Sequence, residues 1–257
     1  MAKNISDTTN NHLLGGRLSF RQSASGHRAG TDALLLAAMT PPGASGIILD
    51  VGAGSGAVGL IAALRAPKAQ VGLVEIDQTA CALALANIEA NEFSDRVRVY
   101  RADILTPASR REAGLDDERA ALVLSNPPFF APGSVRASPD RSRARAHVAA
   151  APLTDWGRAC LALLAPGGVF AMIHRADALA DCLDFMDRRL GGISIRPVHP
   201  RAGGLASRVL LRGVKGSRAP LRLEAPLVLH EADGRFTPEA MRLGLDTGST
   251  IFSTESD

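Results

Sequence analysis

Apolar positions along the chain alternate between two periods, and the switch between them sets out the fold. Gly46 to Val51 (Gly46-Ile-Ile-Leu-Asp-Val51) is a short continuous apolar run of the kind that forms a strand buried on both faces. A helical period follows over 56–65, then a strand over 70–76 and an Ala/Leu-rich helix over 78–92. Further strands are expected over 96–100, 120–125 and 168–173, with helices over 152–164 and 176–190. Strands alternating with helices of this length predict an α/β fold with a mostly parallel, doubly wound sheet. The last two strands, 193–199 and 207–213, are joined by too short a loop for a crossover helix, so they should pair antiparallel at one edge. Seven strands result, with 220–231 as a further extended segment. Ahead of the first buried strand, a hairpin is expected around Gly15-Gly16, then a helix over 31–39 stopped by Pro41-Pro42-Gly43. The polar start, 1–11, reads as a disordered tail, 12–240 as a single domain and 241–257 as a C-terminal tail.

Bulk composition changes this picture little. Hydrophobic residues make up 46% and charged residues 21% of the 257, ordinary values for a chain with a sizeable core. The net charge of +3 hides an asymmetry. Nine basic residues (Arg188, Arg189, Arg196, Arg201, Arg208, Arg212, Lys215, Arg218, Arg222) occur between 188 and 222 with no acidic residue among them. Such a run is either a solvated arginine-rich surface or a footprint for a polyanion such as RNA. Cys81, Cys160 and Cys182 are far apart and form neither a CxxC motif nor an even framework, which argues for a reducing compartment and against a metal site. No apolar h-region and no run of about 18 apolar residues is present, so a cytoplasmic protein without a membrane span is expected. The oligomeric state is not encoded in any pattern we recognise.

The candidate chemistry sits where strands end. Asp50-Val-Gly-Ala-Gly-Ser-Gly56 leaves a buried strand and opens a helix, and Gly52, Gly54 and Gly56 allow a tight turn with close approach to a ligand. Glu75, 23 residues past Gly52, ends the next strand, where a carboxylate can accept from both ribose hydroxyls of a nucleotide-like cofactor; Asp77 suits the cap of the following helix. A dinucleotide site would show GxGxxG. Here the spacing is GxGxG preceded by an acid, Asp50, which suits a ligand bearing a sulfonium or an α-amino group. The arrangement resembles the first motif of class I methyltransferases, which implies S-adenosyl-L-methionine as cofactor. Asp103, after the third strand, then either accepts from the adenine amine or caps a turn.

Leu124-Ser-Asn-Pro-Pro-Phe-Phe130 closes the fourth strand at the same edge. Asn126 can offer its side-chain oxygen, and Pro127 its main-chain carbonyl, to the two N–H groups of a conjugated nitrogen. That frees the nitrogen lone pair for attack on a methyl group. Pro127 and Pro128 hold φ near −65° and so keep these acceptors still, and Phe129 can stack on a planar group. Positioning then carries the catalysis, and a base within nucleic acid must leave its stack to reach the site.

With these residues in view, the chain resembles the bacterial tRNA(valine) adenine-N6 methyltransferase family. Gly26 to Asp32 (Gly26-His-Arg-Ala-Gly-Thr-Asp32), the glycine motif, Asn126-Pro-Pro-Phe129, His199-Pro-Arg201, Lys215 to Leu221 and His230 to Arg235 carry the resemblance. It implies a Rossmann-like class I methyltransferase fold, N6-methylation of an adenine in tRNA, and a cofactor site of Thr31, Asp32, Asp50, Gly52, Ala53, Gly54, Gly56, Glu75, Ile76, Asp103, Ile104 and Asn126. Thr31 and Asp32 would border the methionine end. Phe129 replaces a tyrosine usual in the family, keeping the ring and losing the hydroxyl. His199, His230 and Arg235 are read as structural or phosphate-contacting. Arg136, Arg141, Arg143 and Arg145, within 134–147, would form either an RNA-contacting lid or an exposed loop. Two other methyltransferases share the Asn-Pro-Pro-aromatic site. A protein glutamine-N5 enzyme usually carries a helical N-terminal domain, and only 49 residues precede Asp50 here. An rRNA guanine-N2 enzyme often has duplicated domains. A non-catalytic binding module is disfavoured by the intact Asn126.

Overall fold

In the computed structural model, residues 8–24, 30–128, 151–187, 189–245 and 253–254 are described. A nine-stranded sheet organises the chain. Five neighbouring strands, β3 (Ser45–Val51), β4 (Lys68–Glu75), β5 (Val97–Arg101) at one edge, β6 (Ala120–Ser125) and β7 (Leu164–Arg175), are all parallel. β9 (Arg208–Lys215) runs antiparallel to both β7 and β8 (Leu190–Arg201). The expected seven strands are therefore present in the order β8-β9-β7-β6-β3-β4-β5. Two short strands, β10 (Arg222–Leu223) and β11 (Leu227–His230), pair parallel with the outer edge of β8 and raise the total to nine. They come from the extended segment expected at 220–231, and they cover backbone groups that an open edge would leave unpaired.

Alternate residues of each central strand enter opposite apolar layers, as the pleat requires. Leu122, Leu124, Ala171 and Ile173 face the layer formed with α1 (Thr31–Ala38), α2 (Ala57–Arg65) and α3 (Gln78–Ala90). Val123, Phe170 and Met172 face the layer formed with α5 (Leu153–Leu163) and α6 (Leu179–Met186). α4 (Pro107–Glu112), which the apolar period did not announce, is a single polar turn whose helix starts with Pro107. Each fully buried Leu or Phe side chain contributes roughly 1.5–3 kcal/mol, so this two-sided core accounts for the fold.

The ends of the chain differ from expectation. β1 (Thr8–Leu13) begins inside the segment read as a disordered tail and pairs with β2 (Leu18–Ser23) across the glycine hairpin. β12 (Ser253–Thr254), inside the expected C-terminal tail, pairs with β1. The sequence of β1 is too polar to advertise a strand; pairing on both sides satisfies its backbone instead. The hairpin is docked by two asparagines one helical turn apart, Asn87 in α3 and Asn91 at its C-cap. Asn87 accepts from Arg21 N (2.7 Å) and donates to Arg21 O (2.8 Å), and Asn91 does the same with Ser19 (2.9 and 2.7 Å). Their carboxamides act as a further strand for β2, which explains two polar residues on an Ala/Leu-rich helix. Asn87 also donates to Ser55 O at 2.9 Å, tying the hairpin to the glycine turn.

Candidate functional site

Strand order reverses between β3 and β6: the chain runs from β3 outward to β4 and β5, then returns to β6 on the other side. Ligands of doubly wound sheets bind beyond the carboxyl ends of the strands at such a point. Register places the expected site residues there together. Val51 pairs with both Val74 and Ser125, so Gly52, Glu75 and Asn126 leave the sheet side by side. Gly52, Gly54 and Gly56 have φ of 80°, 57° and 94°, the left-handed region that glycine enters without strain. The space that a Cβ on Gly54 would occupy is open to 4 Å, whereas one on Gly52 would lie 3.1 Å from the Trp156 ring.

Each carboxylate at this edge is held by backbone. Glu75 Oε2 accepts from Gly54 N (2.8 Å), and Oε1 accepts from Ile76 N (2.9 Å) and Asp77 N (2.8 Å). A carboxylate has about four lone-pair sites, so three are taken here and one on Oε2 is open. Asp50 is turned inward. It is only 2% exposed, and its Oδ2 accepts from Gly59 N at 2.8 Å, fastening β3 to the first turn of α2. Burial pushes its carboxyl up to about 7, against the Gly59 hydrogen bond, and nearby Glu75 adds to the rise. The acid before the glycines thus braces the turn; its side chain is not presented to solvent. Asp77 caps α3 by accepting from Ala80 N (2.8 Å). Asp103 accepts from Leu105 N (3.0 Å) and Thr106 Oγ1 (2.9 Å), so it shapes the turn before α4 while remaining half-buried at the edge. Ile76 is half-buried there, and Ile104 lies in the core beneath. Thr31 and Asp32 open α1, and Asp32 is paired with Arg208, 176 residues away, at 2.9 Å.

Asn126 and Pro128 are half-buried and Pro127 is buried at the end of β6. Phe129 lies outside the described residues, as do 25–29, Arg188 and the segment holding Arg136, Arg141, Arg143 and Arg145. Behind the loop is a contact that sequence reading missed: Trp156 of α5 donates through Nε1 to Ser125 Oγ (2.9 Å), and Ser125 Oγ donates to Val51 O (3.1 Å). No local signal marks it, because Trp156 and Ser125 are 31 residues apart and Ser125 is 74 from Val51.

Residues 23–159 match the methyltransferase small domain family. The chain belongs to that family. Over 233 residues it is 35% identical to a tRNA1(Val) (adenine(37)-N6)-methyltransferase of Porphyromonas gingivalis, covering 86% of this chain and 89% of that protein. A namesake from Aeromonas hydrophila is 34% identical over 220 residues, 84% of this chain and 88% of the relative. Among solved structures, a predicted O-methyltransferase from Agrobacterium tumefaciens superposes with a TM-score of 0.71 at 35% identity, covering 83% of this chain and 95% of that one.

In this methyltransferase the basic run from 188 to 222 is not one cationic face. Arg208 is spent on Asp32, Arg196 on Glu239, and Lys215 on Glu118 (3.0 Å) and the carbonyls of Leu161 (3.0 Å) and Leu164 (2.7 Å). Arg189, Arg201, Arg212, Arg218 and Arg222 are exposed. His199 and His230 each bond a backbone carbonyl within their own turn, those of Gly204 (2.8 Å) and Gly234 (3.0 Å). Arg235 pairs with Asp233 at 2.7 Å. These three residues shape hairpins, one of the two roles expected of them.

Proposed function

We propose that this enzyme transfers a methyl group from S-adenosyl-L-methionine to the N6 nitrogen of an adenine in tRNA, acting in the cytoplasm. The observation that carries the reading is the register Val51–Ser125, which sets Asn126-Pro127 beside the glycine turn at the switch point. The residues present fit the cofactor. The open space over Gly54, the remaining lone pair of Glu75 Oε2 and the half-buried Ile76 form a cradle for a nucleoside. Asp103 keeps lone pairs for an exocyclic amine. When bound, S-adenosyl-L-methionine supplies an electrophilic methyl group on a sulfonium. Asn126 accepts one N–H of the target amine and Pro127 O the other, orienting the nitrogen lone pair. No proton need leave before transfer, so no general base is required. Phe129 stacks on the base. The prolines lack N–H groups and have fixed φ, so the loop does not rearrange to satisfy itself. Exposed Arg201, Arg212, Arg218 and Arg222, with the arginines of 136–145, meet phosphates.

The names of the relatives support the adenine acceptor, and the Agrobacterium neighbour's name raises oxygen as the competing acceptor. A hydroxyl offers one proton where Asn126 and Pro127 supply two acceptors, which favours nitrogen. The test supplies labelled S-adenosyl-L-methionine to tRNA, ribosomal RNA and soluble protein, and identifies the product by mass spectrometry. N6-methyladenosine in tRNA is expected, and Asn126→Ala is expected to abolish it with cofactor affinity nearly unchanged. Label recovered only as 2′-O-methyl nucleoside or methylglutamine would overturn the acceptor; loss of cofactor binding in Asn126→Ala would overturn the role of Asn126.

A further inference from the structure

We propose that Trp156 and Ser125 form a positioning pair that sets the acceptor loop against the glycine turn, so that Asn126 stands in a fixed place relative to the cofactor cradle. This rests on the reading of Asn126 given above. The backbone ladder between β3 and β6 ends at the rung Val51–Ser125. Beyond it, Pro127 and Pro128 have no N–H to continue the pairing. A side-chain relay links the two strands at the exit: Ser125 Oγ donates to Val51 O at 3.1 Å and accepts from Trp156 Nε1 at 2.9 Å. All three groups are buried, so this relay does not exchange with water.

The same indole touches the other loop. A Cβ added to Gly52 would lie 3.1 Å from Trp156 Cζ2 and 3.2 Å from Cη2, which means the ring already backs the glycine turn at contact distance. One rigid side chain therefore meets both loops, at Ser125 next to Asn126 and at Gly52 in the turn that carries Gly54. A tryptophan that merely filled the core would not need its polar edge directed to the residue preceding Asn126. Displacement of a reacting group by about 1 Å can cost on the order of a hundredfold in rate, so the relay has a kinetic consequence.

The test uses the intact enzyme, unmodified tRNA transcript and the variants Trp156→Phe, Ser125→Ala, the double variant and Asn126→Ala. Trp156→Phe keeps a ring behind Gly52 and removes the donor; Ser125→Ala keeps the ring and removes the relay. Each is expected to lower kcat roughly tenfold, with KM for S-adenosyl-L-methionine held within about twofold, and the double variant no slower than the slower single one. Trp156 is the chain's one tryptophan, so its emission reads the same relay: Ser125→Ala should shift the wild-type spectrum. A kcat within about twofold of wild type in both single variants, with Asn126→Ala inactive, overturns the positioning role. Full activity of Asn126→Ala instead overturns the acceptor-loop reading on which the inference stands.

Discussion

On the β3–β4–β5 side of the sheet, carboxylates are held by backbone amides no more than 21 residues away. Glu75 is held by Gly54, Ile76 and Asp77, Asp50 by Gly59, and Asp77 by Ala80. On the β7–β9–β8 side, charges are settled by side chains from far along the chain: Arg208 with Asp32, Lys215 with Glu118, and Arg196 with Glu239. A carboxylate pinned by amides has its direction fixed by the turn that contains it, which suits a site that must be ready before its ligand arrives. An ion pair between two long side chains fixes position loosely, and suits an edge whose task is to stay folded. Reading both sides as surface charge would miss the difference.

The first way to break this contrast is pH. The carboxyl of Asp50 rises from 3.8 to about 7 in the fold, so the native chain holds this proton more tightly than the unfolded one. Its contribution to stability is fully present below about pH 4 and is lost as pH rises to about 7, on the order of 4 kcal/mol. Unfolding free energies measured by denaturant between pH 4.5 and 8 should show that decline, and Asp50→Asn should flatten it. A slope unchanged in the variant would mean that another group titrates.

A smaller effect is expected at Glu75. Replacing it with Ala strands the amides of Gly54, Ile76 and Asp77 and removes the acceptor proposed for the cofactor. Calorimetry should show cofactor affinity falling about a hundredfold, or about 3 kcal/mol. An affinity within a few fold of wild type would remove Glu75 from the site.

The smallest effect belongs to the other side. Arg208→Ala should cost about 1 kcal/mol of stability, because its pair with Asp32 is only partly buried. It should leave the salt dependence of tRNA binding unchanged, whereas Arg222→Ala should lower that slope by about one. Equal slopes for the two variants would return Arg208 to the RNA face.

The glycine turn, the Asp77 cap and the strand-end positions of Glu75 and Asn126 were legible because each is local: strand, turn and cap occur within a few residues. The succession of strands and helices along the chain was legible for the same reason, from the alternation of periods, whereas which strands lie side by side was decided by the fold. The direction of the Asp50 side chain was not legible, since a motif gives a residue's place in a turn and not which way its side chain points. The hairpin at the N-terminus was half legible. Gly15-Gly16 announces the turn, but β1 depends on Asn87, Asn91 and β12, all distant in sequence. Which members of the arginine run are paired was not legible, because the acids that neutralise Arg196, Lys215 and Arg208 lie 43, 97 and 176 residues away.

By itself the sequence determined the class of the fold, the edge of the sheet at which the motif residues meet, and the residue types found there. These depend on periodicity, glycine conformations and proline's missing N–H, all properties of short stretches. Only the tertiary structure decided which charges are spent inside the protein, that Asp50 braces rather than faces outward, and that Trp156 stands behind both loops. Those outcomes depend on which side chains burial brings together across the sheet, and no stretch of chain shorter than the whole domain contains that information.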